Sequence, residues 1–224
     1  MVNRPSFRGQ WVVSALSMAI AGLLPKTGEA DIGALPATVS DAMEVCTVQT
    51  EDALAIRARL EPLGWRADPE KAEIAREAMA LAKMYEEGTY TEDPGDRLPE
   101  ELNSARTWAS NEVGYVTRQE RAGLVAIGPG GETLIVMHAF VRVSCWLVVE
   151  SEVTGDTLRA GLPRLRGTVE HTAMTVSNFE TENSGSENAG VTAMLLEPDP
   201  EALHRIEPSR RPLAPIIYTY TALR

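Results

Sequence analysis

Residues 122–150 read AGLVAIGPGGETLIVMHAFVRVSCWLVVE, and this stretch decides the class of fold. Ala122 to Ile127 and Glu132 to Met137 are aliphatic runs on either side of Gly128-Pro129-Gly130-Gly131, which predicts a hairpin closed by a four-residue loop. Phe140 to Glu150 continues at a period of two. Val141, Val143, Cys145, Leu147 and Val149 share one strand face, and Arg142, Ser144, Trp146, Val148 and Glu150 share the other. Both faces turn apolar toward the end of the run, as in a central strand.

Upstream of this stretch the spacing is helical. Val39, Met43 and Cys46 recur at helical intervals, with Thr38 or Ser40 available as a cap. Glu51 to Leu63 sets Leu54, Ile56, Leu60 and Leu63 against Arg57, Arg59 and Glu61, a helix begun by Thr50 and stopped around Pro62 and Gly64, with Trp65 packed just beyond. Asp68-Pro69-Glu70 supplies a cap, a proline for the first turn and an acid at the positive helix end. It opens a helix to about Glu87, ended by Gly88, whose apolar face is Ile74, Ala78, Leu81, Ala82 and Tyr85. Thr89 to Glu101, with Asp93-Pro94-Gly95-Asp96 and Pro99, reads as a connecting loop.

Downstream, Thr154 or Asp156 can cap a short helix over Leu158 to Arg166, kinked by Gly161 and Pro163. Ala173 to Phe179 and Gly190 to Leu196 read as strands around the polar loop Glu180 to Ala189; a helical turn at Pro200 to Ile206 and a strand at Pro215 to Ala222 close the chain. The period therefore switches from 3.6 in residues 38–88 to 2 in residues 122–222. The expected fold is α+β, with N-terminal helices packed on one face of a mainly antiparallel sheet formed by the C-terminal half.

The first 30 residues have a different character. Arg4 and Arg8 precede the uncharged run WVVSALSMAIAGLL, residues 11–24, which Pro25 and Lys26 end. At about 1.5 Å per residue this run reaches about 21 Å, short of the ~30 Å hydrocarbon core of a bilayer, so a stable membrane anchor is not expected. Gly28 and Ala30 put small residues where signal peptidase requires them, which predicts a signal peptide over residues 1–30, cleaved before Asp31. Residues 31–224 would then form a single periplasmic or secreted α+β domain.

The chain carries 21 basic and 32 acidic side chains, a net charge of −11. Cleavage removes Arg4, Arg8, Lys26 and Glu29, leaving 18 and 31 and a net charge of −13. Such a field repels phosphate backbones and anionic lipid, so nucleic acid is not an expected partner. Cys46 and Cys145 are an even pair in a chain read as exported, which predicts a disulfide. The bridge would close a loop of about a hundred residues, for which chain entropy gives about 4–5 kcal/mol.

Motifs that carry chemistry are sparse. Ser144-Cys145-Trp146 resembles the surroundings of the nucleophile in papain-like proteases over those three residues alone. The glycine and second cysteine of that signature are missing, and a mid-strand cysteine lacks the helix N-terminus that lowers a thiol's pKa. His138, His171 and His204 are too far apart in sequence to form a close zinc-ligand pair. Gly128 to Gly131 is followed by a β-branched run and no lysine, unlike a phosphate loop. Glu180, Glu182 and Glu187 among asparagines could bind calcium weakly but lack the EF-hand alternation. No catalytic, cofactor-binding or metal-binding residue is assigned, and no cofactor is expected. The reading is a non-enzymatic binding or interaction domain for a small ligand or another envelope protein. The alternative is a hydrolase-type enzyme with a dispersed site, built from carboxylates of the Thr89 to Glu101 loop with His138 or His171.

Overall fold

The computed structural model describes residues 35–47, 52–86, 97–139, 142–150, 153–162, 165–170, 173–180, 191–208 and 214–222. The signal peptide read over residues 1–30, the calcium loop beyond Glu180 and His171 lie outside them. The described residues form six α-helices and eight strands: α1 Ala37–Thr47, α2 Ala53–Leu60, β1 Arg66–Ala67, α3 Ala72–Glu86, α4 Leu98–Arg118, β2 Gly123–Ile127, β3 Thr133–Ala139, β4 Arg142–Val148, α5 Gly155–Gly161, β5 Leu165–Glu170, β6 Met174–Glu180, β7 Val191–Pro198, α6 Pro200–Ile206 and β8 Ile216–Ala222. The class is α+β. The strands form one sheet in the order β1-β2-β3-β4-β8-β7-β6-β5, and every pairing is antiparallel.

The β2–β3 hairpin has the expected loop. Gly128 N–H donates to the Glu132 carbonyl at 2.8 Å and Gly131 N–H to that of Gly128 at 3.1 Å. Gly131 has φ of 93°, a left-handed conformation that glycine adopts without Cβ strain. β4 lies near the middle of the sheet, paired over its whole length with β3 and β8.

The single-face layering is corrected. Alternate residues of β4 enter two separate cores: Trp146 and Val148 pack beneath α3, α4 and α6, whereas Val143, Cys145 and Leu147 pack beneath α1, α2 and α5. Strands β3, β7 and β8 split in the same way, Ile135, Met194 and Tyr218 facing one layer and Leu134, Leu195 and Ile217 the other. A sheet apolar on both faces must be covered on both. On the α3/α4 side the Trp146 and Tyr218 rings stack 5.2 Å apart, among Met79, Met84, Met137, Met174 and Met194.

A second correction concerns residues 97–118. The loop expected to reach Glu101 gives way by Leu98 to α4, which buries Leu98, Leu102, Ala105, Ala109, Val113 and Val116 against α3 and the sheet. Pro99 sits in its first turn, where a missing N–H costs nothing. Arg106 on α4 donates to Glu77 of α3 at 3.1 Å and to Glu207 beyond α6 at 2.8 Å, tying three elements. Burial opposes the Arg106 charge, but its bonds to Glu207 and Glu77 outweigh it and hold its pKa above the ordinary value.

Smaller differences lie at helix starts. Asp52 caps α2 by accepting from Ala55 N–H at 3.1 Å, and Thr50 lies outside the described residues. Thr38 and Ser40 fall inside α1 and do not cap it. Asp68 caps the entry to α3 as expected, accepting from Glu70 N–H at 3.0 Å.

Candidate functional site

Cys46 on α1 and Cys145 on β4 are joined as a disulfide, with Cα atoms 6.2 Å apart. Each is only 2 % exposed. The helix and strand periods that aim both side chains into the α1/α2 core bring them together. Thr221 of β8 adds a hydrogen bond to the Cys46 carbonyl at 3.2 Å. Cys145 Sγ is thus spent in a covalent bond, which leaves no thiolate for the papain-like reading.

Among the described residues, those of the dispersed-site reading are not brought together. Glu100 and Glu101 stand in the first turn of α4, on the α3/α4 side. His138 continues the face of Leu134 and Val136 on β3, on the α1/α2 side. The sheet lies between them. His204 is exposed on α6. Asp93 and Asp96 lie outside the described residues, and among the described residues no three His, Cys, Asp or Glu side chains converge on a metal position.

One buried carboxylate stands out. Glu132, 2 % exposed, accepts from Thr38 Oγ1 at 2.6 Å and from Gly130 N–H at 3.1 Å. It pins the hairpin loop to the first turn of α1, and the Trp65 ring packs against the same loop at Gly128. Because both bonds serve the fold, this group is a structural tie. The signal for it was an acid placed directly after a glycine loop, where backbone N–H groups are free to donate.

An open cleft lies at the β1–β2 end of the sheet. It encloses about 230 Å³ between α2, the segment around Ala67 and Pro69, the C-terminal turn of α4, and Gly123 to Val125 of β2. Ala53, Leu54, Val116 and Leu124 give it apolar walls, with Arg57, Thr117 and Glu120 as its polar groups. Arg57 is held by Glu61 at 2.8 Å, and Thr117 Oγ1 donates to the Val113 carbonyl at 2.8 Å, leaving its lone pairs to accept. The Arg57 guanidinium can orient an anionic group by donating hydrogen bonds to it. The cleft depends on where α4 ends, so a reading that bounded the N-terminal helical part at residue 88 could not assemble it.

Comparison with protein-family models, with characterised proteins and with solved structures finds no match.

Proposed function

We propose that the protein is an exported binding domain, cleaved before Asp31, that receives the apolar end of a small ligand in the cleft between α2, α4 and β2. The observation that carries the binding half is the cleft itself, with apolar walls and a mixed Arg57, Thr117 and Glu120 rim. Its volume of about 230 Å³ falls below the ~300 Å³ at which drug-sized pockets begin, which fits a small apolar moiety with a polar end. The disulfide between α1 and the central strand supports export, since such bonds persist in oxidising compartments.

Thr117 is exposed at the cleft wall, so Thr117→Trp fills the space without entering the core. Native mass spectrometry of gently purified protein should show a small retained ligand on the wild type and none on Thr117→Trp. Equal retention by both, or none by the wild type, would contradict this reading.

A further inference from the structure

A second hollow, of about 350 Å³, lies between α1, the last turn of α2 and the short turn Glu61–Leu63 that follows it. Asp41, Glu44 and Val45 of α1 line one side, and Arg59 and Leu63 line the other. It shares no wall residue with the α2–α4–β2 cleft. Arg59 stands two residues beyond Arg57, about 200° round the helix, and so serves the opposite side of α2. Asp41 and Glu44 are three residues apart on α1, which makes their side chains neighbours. Leu63 is 40 % exposed and offers apolar surface beside these charges. Among the described residues, the side chains of Asp41, Glu44 and Arg59 make no hydrogen bond or ion pair, with one another or with any other group.

We propose that this hollow binds a free α-amino acid with a short aliphatic side chain, its ammonium held by Asp41 and Glu44, its carboxylate by Arg59 and its side chain against Leu63 and Val45. Opposite charges that line one space without closing on each other leave a gap that a small zwitterion can bridge. The guanidinium fork of Arg59 matches a carboxylate, and an ammonium has donors enough for both acids. A simple cation would leave Arg59 unmatched beside it. A simple anion would face two carboxylates and the field of a chain with net charge −11. A zwitterion is neutral as a whole, so that field does not repel it, and it meets both signs at once. The hollow falls in the small-molecule range of roughly 300–1,000 Å³. It works independently of the α2–α4–β2 cleft.

Titration of the purified protein with L-leucine, followed by two-dimensional amide NMR, tests the assignment. L-leucine should shift the signals of residues 41–45 and 59–63 saturably. Isocaproate, which lacks the ammonium, and isoamylamine, which lacks the carboxylate, should each bind about tenfold more weakly. Arg59→Gln should weaken L-leucine by about tenfold without weakening isoamylamine, and the double variant Asp41→Asn/Glu44→Gln should weaken L-leucine by at least as much. The amide spectrum of each free variant shows that it is folded, and the comparison of ligands on the unaltered protein holds whether or not a variant folds. The absence of a saturable shift with L-leucine would overturn the proposal. So would shifts confined to the α2–α4–β2 cleft, isocaproate or isoamylamine binding as tightly as L-leucine, or folded variants that bind L-leucine as the wild type does.

Discussion

Cys46 and Cys145 each read as core-facing from different periodicities, one helical and one extended, and in the structure they meet. Their sequence separation of 99 makes the bridge a constraint mainly on the unfolded chain, where it removes about 2–5 kcal/mol of freedom. Cys46→Ser and Cys145→Ser should therefore lower the melting temperature by similar amounts. The double change should cost little more than either one, because both singles remove the same bond. Thermal unfolding with and without reductant checks this: reductant should bring the wild type down to the variants, whereas additive losses or an unmoved wild type would go against it. Glu132 was less legible. Nothing in the sequence marks which distant hydroxyl will reach a buried carboxylate, and Thr38 is 94 positions away.

At the scale of elements, the sequence disclosed the strands well and one long helix poorly. The Gly-Pro-Gly-Gly hairpin, the Asp68-Pro69 entry to α3 and the last strand were readable because their turn residues and periods agree. Helix α4 was obscured by a polar surface of Asn, Ser, Arg and Thr and by the loop signals before it. Its stripe of Leu98, Leu102, Ala105, Ala109, Val113 and Val116 was nonetheless present at steps of three and four. The two-sided helical covering was foreshadowed by β4, apolar on both faces, but a strand does not say which helices cover it. β1 and β5 carry too few apolar residues to announce themselves. The α4–β2 contact gives a direct check of the assigned packing. A Cβ on Gly123 would lie 2.4 Å from Val116 Cγ1, and a β-branched side chain cannot swing clear. Gly123→Ala should cost about 1–3 kcal/mol. Adding Val116→Ala should make the combined loss smaller than the sum of the two singles. Chemical denaturation of the set decides the matter, and strict additivity would mean that α4 does not lie there.

For the whole molecule, the disulfide ties one helical layer to the middle of the sheet, and with the charged-then-apolar N-terminus it supports the proposed export. Among the described residues no helix is long and apolar enough to cross a membrane. Cleavage and oxidation are read together by intact-mass spectrometry of the protein recovered from the cell envelope, with thiols blocked by alkylation at lysis and no reductant added. The account predicts one species that begins at Asp31, carries no alkyl group and gains two on reduction. A chain retaining Met1, or one alkylated at both Cys46 and Cys145 without reduction, would contradict it.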